Sequence, residues 1–176
     1  SWEVTYTSPS SEGPRTIPIH VWYPSSETGG TAAIYEQIFT DEQSQLGAAP
    51  SLPVHEAGYP VLAYSHGNQG FGGSSSFLMR RAASHGWVAV APDHIGNTFI
   101  THVSPRPLSM WITRSFDVSA AIDAVSGEPE ALAGPTDTRA VVLAGHSFGG
   151  HTVWASSGAD FDVERIQERC AAGDFP

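Results

Sequence analysis

The sequence contains no lysine, only one cysteine and no long apolar run. All eight fixed positive side chains are arginines, against 18 acidic residues, so the formal net charge is -10. This charge disfavours nucleic acid and anionic membrane surfaces as partners. The apolar runs are shorter than the roughly 20 residues of a membrane-spanning helix, so no transmembrane segment is predicted.

The lone cysteine, Cys170, cannot form a disulfide within the chain. It is predicted to be either a small buried hydrophobe or half of a bridge to another chain. The sequence also lacks the spacings H-E-x-x-H and C-x-x-C, which are typical of metal sites. Neither a metal nor an organic cofactor is therefore expected.

At 176 residues the chain fits one domain with a buried core. Alternation and aromatic content in Trp2 to Thr7 and Thr16 to Pro24 predict a β-hairpin. Apolar runs predict three buried strands, at Val61 to Ser65, Trp87 to Ala91 and Val141 to Ala144. Helical patterns occur at Ser74 to His85, Ser109 to Val125, Gly150 to Ser157 and Asp162 to Ala171.

Buried strands that alternate with helices are typical of α/β proteins. We therefore predict an α/β fold with a mostly parallel central sheet and helices on both faces. In the longest helix the spacing places Trp111, Val118 and Val125 on the apolar face. The same spacing places Arg114 and Asp117 away from that face.

Residues 25–59 interrupt this pattern. Gly, Ser, Pro, Gln and Glu dominate the segment, so it is predicted to be a long loop with one short helical turn around Ile34 to Phe39. Aromatic side chains at Tyr35 and Phe39 make it a candidate lid over a pocket, and an inert surface loop is the alternative.

The string VVLAGHSFGG, Val141 to Gly150, places Ser147 in the pattern G-x-S-x-G between an apolar strand and a helix. Serine then sits on a sharp turn, and side chains at Gly145 and Gly149 would collide with the neighbouring strand and helix. The turn presents the serine as a nucleophile beside helix N–H groups, which can stabilise negative charge. A serine that only caps the helix is the alternative.

The string HGNQG, His66 to Gly70, follows another of the predicted parallel strands, at the same edge of the sheet. An oxyanion hole in this arrangement uses the backbone N–H of the residue after the nucleophile, here Phe148, and one from such a loop. Asn68 is the predicted second donor, and His66 and Gly67 shape the loop. A purely structural glycine-rich turn is the alternative.

Five strings, in this order and spacing, resemble the α/β-hydrolase superfamily, and within it the branch related to platelet-activating-factor acetylhydrolases and predicted dienelactone hydrolases: VWYP, YPVLAYSHGNQG, APDHIGNTF, RSFDVSAAID and GHSFGG. The resemblance covers nearly the whole chain apart from residues 25–59. It implies that Ser147 is the nucleophile and that the N–H groups of Asn68 and Phe148 form the oxyanion hole. Asn68 departs from the pattern, since acetylhydrolases often carry an apolar residue there, and this bears on the polarity of the pocket.

A serine nucleophile needs a histidine and a carboxylate, which in this fold follow it at the ends of later strands. The only later histidine, His151, lies one helical turn on and is predicted to be structural, whereas His94 and Asp93 could border the pocket. We therefore expect residues 1–176 to be the N-terminal portion of a single α/β-hydrolase domain that lacks its C-terminal strands. A complementary C-terminal chain of the same precursor would supply the acid and the histidine. The strand before Ser147 would then have an unpaired, apolar edge.

The predicted function is that of a serine esterase or lipase, which cleaves carboxylic esters through an acyl-enzyme. The resemblance favours small or lipid-like acyl esters as substrates. One alternative is a non-catalytic binding module with the same fold, and another is a related acyl transferase, peptidase or polyesterase. The resemblance, the start at Ser1 and the lone cysteine together suggest a processed protein that is secreted or periplasmic.

Overall fold

The computed structural model describes residues 1–9, 13–160 and 162–173. The strands in these residues are β1 (Trp2–Thr7), β2 (Pro14–Trp22), β3 (Ala32–Tyr35), β4 (Phe39–Gln45), β5 (Tyr59–Ser65), β6 (Val88–Pro92) and β7 (Thr136–Gly145). The helices are α1 (Ser76–Ala83), α2 (Met110–Gly127), α3 (Phe148–Ser156) and α4 (Val163–Ala171). Five strands form the central sheet in the order β1-β2-β6-β5-β7, and β3 and β4 form a separate hairpin.

The central sheet is mixed rather than mostly parallel. β5 pairs in parallel with β6 and β7, as the sequence predicts. The predicted β1–β2 hairpin is also confirmed, with Trp2 opposite Ile19. However, β2 joins the sheet by pairing antiparallel with β6. Strand patterns carry no information on the direction of a neighbouring strand, so the sequence could not show that the hairpin extends the parallel part.

Helices cover both faces of the sheet, as predicted. Successive residues of a strand point to opposite faces, so the central strands must be apolar on both. Val61 of β5 packs on one face in a cluster with Val118 of α2. The next residue, Leu62, packs on the other face in a cluster with Met79 of α1.

Residues 25–59 contain an antiparallel hairpin, so the predicted loop with a helical turn is wrong. Tyr35 of β3 lies opposite Phe39 of β4. Glu36 and Gln37 both have positive φ, at 50° and 57°, and the N–H of Ile38 donates to the Tyr35 carbonyl at 3.1 Å. These are the features of a tight hairpin turn. The sequence did not reveal it because the turn lacks the Asn or Gly that usually marks one.

The β3–β4 hairpin is anchored to the end of β2 and to α1. The indole N–H of Trp22 donates to the Tyr35 hydroxyl at 2.9 Å. The Arg80 guanidinium of α1 donates to the Asp41 carboxylate at 2.6 Å. The hairpin is therefore held by specific polar contacts, and its role as a lid stays a prediction.

The edge of the sheet at β7 is apolar and exposed, as expected. Within the part of the chain that the structure describes, β7 pairs with β5 alone. Val142 of β7 is 46% exposed, and Trp154 of the following helix α3 is 72% exposed. An unpaired apolar strand edge of this kind favours association with further polypeptide.

The last described element is the polar helix α4. The Asp162 carboxylate caps its start by accepting the N–H of Arg165 at 2.9 Å. Cys170, near the end of α4, is exposed, so the prediction of a buried thiol is wrong. None of the helices in the described ranges is both long enough and apolar enough to cross a membrane.

Candidate active site

Ser147 lies at the turn between β7 and α3, where it is exposed. Its backbone has φ 53° and ψ -117°, an unusual combination for a residue with a side chain. Such strain persists only where the surrounding structure enforces it, and it is concentrated at functional sites. The Ser147 side chain makes no capping hydrogen bond to α3. The sharp turn predicted from the sequence is thus present, and the interpretation of Ser147 as a mere helix cap is wrong.

Gly145 and Gly149 are the positions at which this turn excludes a side chain. A Cβ added to Gly145 would lie 2.3 Å from the carbonyl oxygen of Gly149. A Cβ added to Gly149 would lie 1.9 Å from the carbonyl oxygen of Ser65, at the end of β5. Both clashes are with backbone, so no side-chain rotation could relieve them. The two glycines allow α3 to approach β7 and β5 closely enough to form the turn.

The loop after β5 lies directly beside Ser147. A Cβ added to Gly67 would be 3.4 Å from the Ser147 Cβ. The loop is closed by a hydrogen bond from the N–H of Gly70 to the Gly67 carbonyl at 3.1 Å. Asn68, the next residue in this turn, is exposed. The structure therefore brings the loop that contains Gly67 close to Ser147, and the oxyanion hole stays a prediction.

His66 holds the base of the same loop from a fully buried position. Its Nε2 accepts the backbone N–H of His94 at 3.1 Å, so the ring proton is on Nδ1, which donates to the Gly67 carbonyl at 2.7 Å. Burial and the nearby His94 hold the pKa of His66 well below its usual value. His66 is thus a neutral ring with both nitrogens used to shape the loop.

Phe148 begins α3, where backbone N–H groups have no partner within the helix. Its ring is buried and packs edge-to-face on Trp111 of α2, with centroids 4.7 Å apart. This packing fixes the residue that follows Ser147. The Phe148 N–H is consequently placed at the positive end of a helix, beside the serine.

A buried polar network beneath the two loops escaped the sequence analysis. The sequence predicts Arg114 away from the apolar face of α2, yet its side chain is fully buried. Its Nε donates to the Thr152 hydroxyl at 3.0 Å, and its Nη1 donates to the Asn97 carbonyl oxygen at 2.5 Å. Its Nη2 donates to the Ser65 hydroxyl at 3.0 Å and to the His66 carbonyl. One guanidinium therefore joins α2, α3 and the ends of β5 and β6.

Ser65, His94 and Asp117 form a chain with the connectivity of a catalytic triad. The Ser65 Oγ lies 2.9 Å from the His94 Nε2, and the His94 Nδ1 lies 2.8 Å from the Asp117 carboxylate. The carboxylate can only accept, so Nδ1 carries the proton and Nε2 accepts the Ser65 hydroxyl. Burial, aided by the charge of Arg114, lowers the pKa of His94 to about 4. All three side chains are buried, so His94 is not available to Ser147. These three residues, with His66 and Arg114, stabilise the fold and are called the polar brace below.

Asp117 was also predicted off the apolar face, and it too is fully buried. Its carboxylate accepts from the Arg15 guanidinium at 2.7 and 3.0 Å and from the Tyr6 hydroxyl at 2.6 Å. Burial alone would raise the pKa of Asp117, but the hydrogen bonds from His94 and Arg15 lower it below the usual value. The charge is therefore kept in the core by four donors from β1, β2 and the loop after β6.

Two other residues considered from the sequence have structural partners. His151 packs edge-to-face on Trp111 at 4.6 Å, which agrees with the structural role predicted for it. The Asp93 carboxylate accepts the N–H of Gly72 at 2.6 Å and lies 2.9 Å from the His20 Nε2. Because Asp93 is buried in these contacts, its predicted place at the border of the pocket is wrong.

Ser147 and Asn68 are exposed at the candidate site. A cleft of about 840 Å³ lies elsewhere, between the β3–β4 hairpin, β2 and α1. Its lining includes Tyr35 and Arg80 but not Asn68, Ser147 or Phe148. In residues 1–9, 13–160 and 162–173, no group of three or more His, Cys, Asp or Glu side chains is arranged to hold a metal ion.

No protein-family model matches the sequence, and no curated protein matches it. Among solved structures, a ferulic acid esterase from Streptomyces cinnamoneus is similar, with a TM-score of 0.70 and 20% identity over 90% of this chain and 54% of the esterase. An acetyl xylan esterase from Paenibacillus sp. R4 matches 90% of this chain and 49% of its own, at 17% identity and a TM-score of 0.40. The chain thus spans about half the length of these esterases.

The likeness to the ferulic acid esterase shows a shared fold. That fold is mixed α/β and agrees with the α/β-hydrolase-like architecture expected from the sequence. The narrower resemblance, to acetylhydrolases and dienelactone hydrolases, finds no support among family models or curated proteins and stays a prediction.

Proposed function

We propose that this chain carries the nucleophile and the oxyanion hole of a serine hydrolase that cleaves carboxylic esters. The observation that supports this most strongly is the strained backbone of Ser147, at φ 53° and ψ -117°, on an exposed turn beside the Gly67–Asn68 loop. A merely structural serine has no need of such a conformation.

In the proposed reaction, the Ser147 Oγ attacks the carbonyl carbon of the ester, and a base takes the hydroxyl proton. The carbonyl oxygen becomes an oxyanion, which accepts hydrogen bonds from the N–H groups of Asn68 and Phe148. The tetrahedral intermediate then expels the alcohol, which receives the proton from the base. Water releases the acid from the acyl-enzyme by the same two steps in the same order.

The base and its carboxylate belong, in this proposal, to a C-terminal segment outside this chain. Among the described residues, His94 and His66 are buried in the brace and His151 packs on Trp111. The exposed apolar edge of β7 supports the proposal, because further strands could pair there. From the resemblance we further propose a processed enzyme that is secreted or periplasmic.

The experiment uses a preparation that contains this chain together with the proposed C-terminal segment. It measures labelling by a fluorophosphonate, which reacts with activated serines, and hydrolysis of p-nitrophenyl acetate. Ser147→Ala should abolish both signals, whereas Ser157→Ala, at the exposed end of α3, should change neither. Equal labelling of the two variants would overturn the proposed function. Ser147-dependent turnover by this chain alone would leave the esterase in place and refute the external histidine.

A non-catalytic binding module is the second candidate. It is favoured by the structural contacts that His66, His94 and His151 make with other residues. In that case Ser147→Ala would leave the affinity for a bound ester unchanged, and no preparation that contains this chain would turn the ester over. Acyl transfer, peptide hydrolysis and polyester hydrolysis use the same nucleophile and are distinguished by substrate panels.

A further inference from the structure

Arg106 contacts both residues of the proposed oxyanion hole. Its Nη1 donates to the side-chain oxygen of Asn68 at 2.9 Å. Its guanidinium carbon also lies 4.4 Å from the centroid of the Phe148 ring. Asn68 follows β5 and Phe148 follows β7, so Arg106 links two loops that are far apart in the sequence.

The position of Arg106 is restricted by its own surroundings. Pro105 and Pro107 flank it in the sequence and limit the backbone conformations open to it. The guanidinium is also 5.0 Å from the centroid of Trp111, and its Nε is buried without a hydrogen-bond partner among the described residues. The side chain is thus held against aromatic rings rather than extended into solvent.

The Asn68 side chain is held from a second direction as well. The Asn97 amide donates to the same Asn68 oxygen at 2.8 Å. Asn97 in turn accepts a hydrogen bond from the buried Arg114. The guanidinium carbon of Arg114 lies 4.5 Å from the centroid of the Phe148 ring. In a chain with a formal net charge of -10, two guanidinium groups therefore lie next to the proposed oxyanion residues.

We propose that Arg106 is a positioning residue that sets the spacing of the Asn68 and Phe148 N–H groups for one oxyanion. The inference rests on the proposed function, since it concerns the same oxyanion. Two donors stabilise a single oxygen only when both lie about 2.7–3.1 Å from it. Arg106 joins the two loops through Asn68 and the Phe148 ring, whereas Arg114 and the hydrogen bond from the His146 N–H to the Ser65 carbonyl join them at the ends of β5 and β7. A planar guanidinium suits this role because it can donate to an amide and stack on a ring at once.

The kinetic test compares Arg106→Met and Arg106→Lys with Arg81→Met, which removes an exposed arginine of α1. In the preparation that hydrolyses p-nitrophenyl acetate, Arg106→Met should lower kcat about tenfold with little change in KM, less than the roughly 10²-fold loss when an oxyanion donor is removed outright. Arg106→Lys should resemble Arg106→Met, because an ammonium lacks the planar fork. Full activity with lysine, or equal losses with Arg81→Met, would overturn the proposal.

A double-mutant cycle tests whether Arg106 acts through Asn68. Asn68→Ala removes the side-chain acceptor and keeps the backbone N–H. If the contact matters, the double variant should be no slower than Arg106→Met alone. Independent, multiplicative losses in kcat would show that Arg106 acts by another route and would overturn the proposal.

Hydrogen exchange separates this inference from the proposed function, because it needs no catalysis. Amides of residues 66–70 should exchange severalfold faster in Arg106→Met than in the unmodified chain, and Arg81→Met should leave them unchanged. If exchange rises but no preparation hydrolyses esters, Arg106 holds the loop and the proposed function fails. If exchange is unaltered, the positioning role fails even where ester hydrolysis is observed.

Discussion

The two sides of Ser147 differ in how completely they are buried and hydrogen-bonded. On the side of the Asn68 loop, buried polar groups of Arg114, His94 and Asp117 are joined by hydrogen bonds of 2.5 to 3.0 Å. On the side of β7, the sheet ends in an apolar edge at which Val142 and Trp154 are exposed.

The difference follows from the cost of burial. A buried charge is tolerated only when it is paired and hydrogen-bonded, so the polar brace must be complete before this chain can fold. An exposed apolar edge carries no such penalty in isolation and can be left for another polypeptide. The proposed oxyanion donors are therefore held within this chain, while the side from which the proposed external base would act is open.

The largest effect is expected at the turn that joins the two sides. Gly149→Ala places a Cβ 1.9 Å from the Ser65 carbonyl oxygen, so α3 must move away from β5. We expect the free energy of unfolding in urea to fall by at least about 4 kcal/mol.

The next residue gives a matched control for this clash. A Cβ at Gly150 meets its nearest atom only at 4.0 Å, and alanine is favoured over glycine inside a helix by about 1 kcal/mol. Gly150→Ala should therefore be neutral or stabilising. Equal destabilisation by both substitutions would refute the geometry given for the turn.

The brace itself is tested at Asp117. Asp117→Asn removes the charge that pairs with Arg15 and His94 in the core, which should lower the free energy of unfolding by about 3 kcal/mol or more. Asp123→Asn changes the same charge on the exposed side of α2 and should alter stability by less than about 0.5 kcal/mol. If the two variants unfold alike, the brace does not stabilise the fold.

Sequence patterns were sufficient for the turn and insufficient for the brace. The G-x-S-x-G string predicted the sharp turn at Ser147 because that geometry depends on neighbouring residues and on two missing side chains. Helical spacing placed Arg114 and Asp117 outside the apolar face, where charged residues normally lie. They are buried because donors and acceptors converge on them from five separate segments, and such long-range convergence leaves no local pattern.

The β3–β4 hairpin was missed for a different reason. Its turn uses Glu36 and Gln37 at positive φ, where Asn or Gly is usual, so the local signal was absent. The direction in which β2 joins β6 was equally hidden, because periodicity reports which face of a strand is buried and not which strand lies beside it.

The pH dependence of stability distinguishes the brace from the open edge. The folded chain keeps His94 neutral down to its pKa of about 4, whereas an unfolded histidine takes up a proton below about pH 6.5. The unfolded state therefore binds more protons in this window, and stability should fall as the pH drops from 6.5 to 4, by up to about 3 kcal/mol from His94 alone. His66, whose pKa is also lowered, acts in the same direction.

The measurement is urea unfolding at several pH values across this window. His94→Gln should give a shallower slope of unfolding free energy against pH, although lost hydrogen bonds lower its stability throughout. His55→Gln, at an exposed position, should keep the slope of the unmodified chain. An unchanged slope in His94→Gln would mean that this imidazole is not kept neutral by the fold.

The smallest effect on stability is expected at the open edge. Val142→Lys replaces a side chain that is already 46% exposed, so the free energy of unfolding should change by less than about 0.5 kcal/mol. A lysine on an unpaired strand edge opposes pairing with another strand, so self-association in sedimentation velocity should decrease.

Ile38→Lys adds the same charge at the exposed tip of the β3–β4 hairpin and should leave self-association unchanged. If both variants associate equally, net charge controls association and β7 is not a site for further strands. If only Val142→Lys is affected, the open edge of β7 binds polypeptide, which is what the proposed supply of a histidine by another segment requires.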